Sequence, residues 1–285
     1  MRSTRGSYGR LSAGAVVVIA LAMVTGCGST PPAPTPTMAQ HLAVPSPTPS
    51  SDGQVPGATA AGTIPPVISH GPATGRRIAL TFDSNMTDRM LGKLNRDPRI
   101  SYANTHVLDE LDRAHAPATF FLASLWVQRY PAVTRRIAAD PLFEIASHSY
   151  AHHGFTRTCY DLGSLPESQM AADVERSFDV LKPYGGRQTR YFRFPGGCYD
   201  QAALRAIAPA GCTVIQYSDV AGDPFNHDVR SIERNVLSKA APGGIVVMHI
   251  TEANAPETHK ALPAIIAGLR QRGYQLVTLS DLLGQ

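Results

Sequence analysis

The chain has 285 residues, 43% of them hydrophobic, which is enough apolar material to bury a core and excludes disorder throughout. Its 26 basic and 22 acidic residues leave a net charge of +4, too diffuse to mark a nucleic-acid partner. That length holds one large domain or two small ones.

Arg2, Arg5 and Arg10 precede an apolar run from Ala13 to Val24, which has the charge and length of a secretion signal and is short for a membrane span. The run ends Val24-Thr25-Gly26-Cys27, resembling the bacterial lipobox, in which small residues precede a cysteine that is lipidated and becomes the new N-terminus. The expectation is a signal over residues 1–26 and an extracytoplasmic protein held to the cell membrane by lipid on Cys27; the alternative is an ordinary cleaved signal with an incidental cysteine. From Pro31 to Pro72 the chain carries nearly half of its 23 prolines and a single charged residue, Asp52. Such a segment cannot build a core, so residues 27–75 are expected to be an extended tether.

Residues 76–285 alternate short apolar runs with helical patterns. Seven strands are expected: Ile78–Phe82, Ala118–Ala123, Phe143–Ser147, Tyr191–Phe194, Cys212–Tyr217, Gly244–His249 and Gln275–Leu279. Met170, Val174, Phe178 and Leu181 mark one helical face, with Ser164 and Glu167 at capping-box spacing before it. Leu262, Ile265, Ile266 and Leu269 mark another, closed by Gly273. Strands that are apolar almost throughout call for a parallel sheet covered by helices, here an incomplete or distorted (β/α) barrel of about seven strands. Trp126 falls early in a helix, where a packing role is expected. An exported chain can oxidise one cysteine pair. Cys159 and Cys198 each follow a loop that leaves a strand, and their pairing is favoured, with Cys212 a buried thiol.

In a parallel barrel, chemistry gathers on the loops at the C-terminal strand ends. Asp83, His148, Arg193, Asp219 and His249 all follow or end strands. His148 and His152 stand four apart, a spacing that on a helical turn aims both imidazoles at one divalent ion, although paired histidines also occur on solvated surfaces. Asp83 alone is as readily a helix cap as a catalytic group.

The combination is more specific. Thr81-Phe82-Asp83, His148-Ser149-x-x-His152, Arg193-Phe194-Pro195-Gly196-Gly197, Asp219 to Asp223, and Val247-Met248-His249 resemble, in order and spacing, the five motifs of the NodB-like polysaccharide deacetylases, carbohydrate esterase family 4. Ala118-Thr119-Phe120-Phe121 is a further strand typical of that family. The resemblance covers essentially all of residues 76–285. It implies a hydrolase that removes N-acetyl groups from glycans, with Asp83 as the base that activates water and Arg193 orienting it. By the same resemblance His148 and His152 are metal ligands, and the ion is a divalent metal, zinc first, with cobalt or manganese as alternatives. Asp219 or Asp223 matches the acidic residue of the fourth motif, His249 matches the acid that protonates the departing amine, and the Gly196 amide matches an oxyanion donor. Amide hydrolysis needs these three services: an activated water, a stabilised oxyanion and a proton for nitrogen.

Two departures stand out. The first motif usually carries a second aspartate that completes the metal site; here Ser84 and Asn85 follow Asp83, so the third ligand is expected from Ser84, Asn85 or Asp88. The aromatic expected after the fourth-motif aspartate is replaced by Pro224-Phe225. Peptidoglycan N-acetylglucosamine or N-acetylmuramic acid is the favoured substrate, since it lies nearest an anchored enzyme. A chitooligosaccharide deacetylase, an acetylxylan esterase and a non-catalytic glycan-binding lipoprotein are the alternatives.

Overall fold

The computed structural model describes residues 55–285, which lie within one unit, Pro49–Gln285. The expected signal segment, Cys27 and the first part of the expected tether lie outside the described residues. Nine strands form one sheet: β1 (Val67–Ile68), β2 (Arg77–Ser84), β3 (Ala118–Leu122), β4 (Phe143–Ser147), β5 (Arg187–Phe192), β6 (Thr213–Ile215), β7 (Asp219–Val220), β8 (Ile245–His249) and β9 (Gln275–Val277). Their order is β1-β6-β5-β4-β3-β2-β8-β7, with β9 also on β2, and every pairing is parallel. β6 and β7 stand near opposite ends of this order, yet only Gln216, Tyr217 and Ser218 join them. So short a link spans at most about 14 Å, so the sheet curls until its two margins nearly meet. It is an incomplete barrel, as expected.

Alternation along β2 sets what faces inward. Ile78, Leu80 and Phe82 pack with Phe120, Leu122 and Ile145 and with helices α2 (Thr105–Ala114) and α8 (Thr258–Gln271) on the outside. Ala79, Thr81 and Asp83 take the other face, the barrel interior. There Ala79, Phe121, Ala146, Tyr191 and Val277 pack with Leu279 and Leu282, which come from α9 (Leu279–Leu283). The interior is thus apolar at the N-terminal strand ends and turns polar only at the C-terminal ends, where β2 reaches Asp83.

The expected helical faces are buried: Met170, Val174, Phe178 and Leu181 on α5 (Glu167–Leu181), and Leu262, Ile265, Ile266 and Leu269 on α8. Gly273 lies just past the end of α8 with φ +79°, a left-handed conformation that suits glycine. Trp126 is buried in α3 (Ser124–Arg129), where its indole N–H donates to the Tyr102 carbonyl.

Three expectations need correction. Ser164 does not cap α5, whose N-cap is Pro166 without a side-chain bond. Seven strands become nine, because β1 and β7 are two residues each and carry no readable alternation. Residues 55–75 belong to the fold and not to the tether. The Pro56 carbonyl accepts from the Arg190 amide at 2.7 Å, and Val67 pairs with Val214. A proline-rich stretch cannot build a core, but behind Pro65 and Pro66 it serves as an edge strand that satisfies the free margin of β6.

Candidate active site

The site starts from the inner face of β2. Asp83 is only 4% exposed, and its Oδ1 accepts a 2.6 Å bond from Arg193 Nη1. Arg193 follows β5 and is fully buried. The same Nη1 also reaches Thr81 Oγ1 (2.9 Å), Nε donates to the Ile215 carbonyl and Nη2 to the Gln216 carbonyl (both 3.3 Å). The guanidinium lies 3.9 Å from the Phe121 ring centroid. A planar fork with its donors engaged in several directions is fixed, and it fixes Asp83. Burial alone pushes the Asp83 carboxyl up, but its opposing neighbours, the Arg193 guanidinium foremost, outweigh it and hold the group below the ordinary carboxylate value.

The histidine loop leaves β4 at Ser147. His148 is buried, its Nδ1 donates to the Arg193 carbonyl at 2.9 Å, and its Nε2 lies 3.6 Å from Asp83 Oδ2. No helical turn aligns the pair. Ser149 (φ 71°) and His152 (φ 55°) adopt left-handed conformations, and the loop folds back until the two imidazole centroids are 4.9 Å apart. It is held by the Tyr150 amide on Asp173 Oδ1 (2.9 Å) and the His152 amide on Ser149 Oγ (3.0 Å). Such conformations are costly away from glycine, and the surrounding bonds over-determine them. Burial lowers the pKa of both imidazoles, and for His152 the neighbouring His148 lowers it further. Both are therefore neutral donors. His152 Nδ1 is buried with no protein partner. His153 stands apart, 3.7 Å from Asp88 on the surface.

His249 ends β8 and sits directly beside Asp83 in the parallel register. Its Nδ1 donates to Asp223 Oδ1 at 3.0 Å and its backbone amide to Asp223 Oδ2 at 2.7 Å. Thr258 Oγ1 completes the second oxygen, also at 2.7 Å. Burial lowers the His249 pKa, but Asp223 and then Asp83 outweigh it, so the ring is held above its ordinary value. The result is a carboxylate held below its ordinary pKa beside an imidazole held above its own, with two imidazoles of lowered pKa next to them. That arrangement can take a proton from one atom and deliver one to another.

The polysaccharide deacetylase family model matches residues 70–215 of this chain. The chain belongs to the polysaccharide deacetylase family. Members of this family are hydrolases that act on N-acetyl amide bonds. Among curated relatives, the chain is 24% identical over 213 residues to a peptidoglycan-N-acetylglucosamine deacetylase of Bacillus cereus, covering 74% of this chain and 70% of that one. It is 28% identical over 227 residues to a chitooligosaccharide deacetylase of Bradyrhizobium, covering 75% and 94%. A crystal structure of a peptidoglycan N-acetylglucosamine deacetylase superposes with a TM-score of 0.65 at 22% identity, over 77% of this chain and 93% of that one. A pseudoenzyme of carbohydrate esterase family 4 from Bacillus anthracis superposes at 0.61 and 21% identity, over 77% and 69%. At such identities the superpositions speak for the fold alone.

The structure separates the two fourth-motif candidates of this deacetylase. Asp223 holds His249. Asp219 begins β7 opposite Val246, three residues before His249, so it lies about 10 Å down the barrel, and its side chain accepts from Ser218 Oγ (3.0 Å). It is therefore not in the site. The departure in the first motif also has a visible consequence: among the described residues no three His, Cys, Asp or Glu side chains are grouped to hold a metal ion. Of the three candidates for a further ligand, Ser84 Oγ is engaged by the Ala123 amide (3.0 Å) and Asp88 is exposed at the start of α1 (Asp88–Arg96). The Asn85 side-chain oxygen is buried without a partner.

Gly196 lies in the turn Pro195–Gly197 with φ +64°. A Cβ there would stand 2.7 Å from Cys159 Sγ and 3.0 Å from the Tyr160 ring, so only glycine fits. Cys159 and Cys198 are joined by a disulfide with Cα atoms 5.9 Å apart. Cys212 is a free thiol whose burial pushes its pKa up to about 12, which leaves it unreactive. Sequence reasoning gave Thr81 no role of its own and missed Asp173 and Thr258. Thr81 was within reach, two residues before Asp83 on the same strand face. Asp173 and Thr258 carry no local signal.

Proposed function

We propose that this domain removes N-acetyl groups from cell-wall glycan, with N-acetylglucosamine or N-acetylmuramic acid units of peptidoglycan as substrate, and that it uses a divalent metal at His148 and His152. The observation that carries this reading is Asp83, bonded to Arg193, adjacent in register to His249, whose Nδ1 is bonded to Asp223 and whose pKa is raised by it. The peptidoglycan assignment is supported by the relatives that bear that activity.

In this reading Asp83 takes a proton from the attacking water as its oxygen bonds to the acetyl carbon. The Gly196 amide donates to the oxyanion. His249, its Nδ1 committed to Asp223, gives the Nε2 proton to the sugar nitrogen as the C–N bond breaks, leaving acetate and a free amine. The residues fit a metal: His148 has its Nδ1 tied to a carbonyl, the usual brace for a ligating imidazole, and His152 Nδ1 and the Asn85 oxygen are buried without partners. A divalent ion, zinc by the preference of imidazole ligands, supplies Lewis acidity to the carbonyl and the water when bound. Asn85 is the further ligand in this proposal.

The test is acetate release from purified peptidoglycan with and without chelator, alongside metal content. His148→Ala and His152→Ala are each expected to lose bound metal and acetate release together. Full metal occupancy in either variant, or no acetate from the wild-type protein, would overturn the reading. Retained glycan binding without acetate release would instead support a binding protein, a reading favoured by Ser84 standing where a carboxylate is usual.

Asp223→Asn tests the acid. Without the carboxylate, burial acts on His249 with less opposition and its pKa falls, so the protonated form is lost at a lower pH. The alkaline limb of the kcat–pH profile is expected to move to lower pH; an unmoved limb would remove His249 from the acid role. Export and lipid anchoring through Cys27 remain part of the proposal, and a Cys27→Ala protein is expected in the soluble fraction instead of the membrane fraction.

A further inference from the structure

Among the described residues the two most exposed large apolar side chains are Phe225 (77%) and Tyr160 (70%), and they lie against each other. Their ring centroids are 5.9 Å apart with planes inclined by 27°. They come from separate loops at the C-terminal end of the barrel, and each is tied to the site. Phe225 lies two residues after Asp223, which holds His249. Tyr160 follows Cys159, whose bond to Cys198 pins it against the turn after Arg193. The Tyr160 backbone is left-handed (φ 51°), a conformation a bulky residue adopts only under constraint. Its ring covers the space above Gly196 where a side chain would stand. On the neighbouring glycine, Gly197, the corresponding space is closed by the Tyr217 hydroxyl, and the Tyr217 ring lies 5.6 Å from the Arg193 guanidinium. Aromatic surface therefore runs outward from Arg193 along the rim, past the Gly196–Gly197 turn, to the Tyr160–Phe225 pair.

Two aromatic rings held in water beside this polar site indicate a binding surface. A pyranose ring has an apolar face of C–H groups that docks on an aromatic face while its hydroxyls stay in water. We propose that Tyr160, positioned by the Cys159–Cys198 disulfide and stacked on Phe225, holds a sugar ring neighbouring the one that is deacetylated. This makes the deacetylase prefer oligomers to single sugars. The inference rests on the deacetylase reading above, because the occupant is the continuation of the same glycan.

The test compares KM and kcat on a β-1,4-linked N-acetylglucosamine tetramer and on the monomer. Tyr160→Ala is expected to raise KM for the tetramer roughly three- to tenfold, to narrow the tetramer-to-monomer preference, and to be rescued by Tyr160→Phe, since the ring and not the hydroxyl makes the contact. Phe225→Ala, truncating a side chain that supports no core, is expected to act in the same direction. Cys159→Ser with Cys198→Ser is expected to reproduce the KM effect by releasing the ring. An unchanged tetramer KM in both Tyr160→Ala and Phe225→Ala, or failure of Tyr160→Phe to rescue, would overturn the assignment. If the wild-type protein releases no acetate from any N-acetylated glycan, the deacetylase reading falls by itself. Calorimetric titration with the same tetramer then decides the stacking role: weaker binding by the two alanine variants supports it, and equal binding rejects it.

Discussion

Asp83→Asn is expected to lower acetate release by roughly 10²–10⁴-fold, the usual worth of a positioned general base. The substitution keeps the shape of the side chain and its ability to accept from Arg193 Nη1, but it removes the lone-pair basicity that a proton-abstracting group needs. The fold should survive. Arg193 retains the Thr81 hydroxyl and the Ile215 and Gln216 carbonyls as acceptors, which offsets part of the cost of unpairing its buried charge. Thermal unfolding measured beside acetate release separates the two effects. A folded Asp83→Asn protein with wild-type turnover would remove Asp83 from the base role, and so would a loss of activity fully explained by unfolding.

Arg193→Met is expected to damage both stability and activity, because it strands a carboxylate in the barrel interior. Breaking a buried pair by removing one partner costs about 3–5 kcal/mol. The pH dependence distinguishes this cause from simple loss of packing. In the wild-type protein Asp83 titrates below its unfolded value of 3.8, so its contribution to stability is present above that pH and is lost as the pH falls further. Without Arg193 the burial that raises the Asp83 pKa loses its main opponent, so the ionised group destabilises the variant at neutral pH and protonation relieves it. The stability deficit of Arg193→Met should therefore be largest near pH 7 and shrink toward pH 4. A deficit that does not change with pH would mean that packing against Phe121, and not the charge, is what Arg193 contributes.

The periodicities that define this protein were local and therefore readable. The apolar run Ile78–Phe82 is a strand that ends beside Asp83, and the 3.6-residue spacing of Met170, Val174, Phe178 and Leu181 marks a helix face that is indeed buried. Seven apolar runs separated by helices indicated a parallel sheet covered on its faces, and polar residues at five strand ends favoured an incomplete barrel over a doubly wound open sheet. The order of the short motifs along the chain pointed to the family for the same reason: each motif sits at a strand end, and strand ends are local features.

What the tertiary structure decided depends on register and on distant partners. Asp219 and Asp223 are four residues apart and equivalent as letters, and only the pairing of β7 with β8 sends one to the foot of the barrel and the other to His249. The approach of His148 to His152 rests on two left-handed residues stabilised by Asp173 and Ser149, and not on helical spacing. Arg193 meets Asp83 across 110 residues, and Thr258 meets Asp223 across 35. The prolines of residues 55–75 read as a tether because composition reports the capacity to form a core, while an edge strand needs only backbone hydrogen bonds to the free margin of β6. Local pattern determined most of the elements and the buried faces of two helices; closure of the sheet, which brings the ends of separate strands together, determined which of the candidate residues meet.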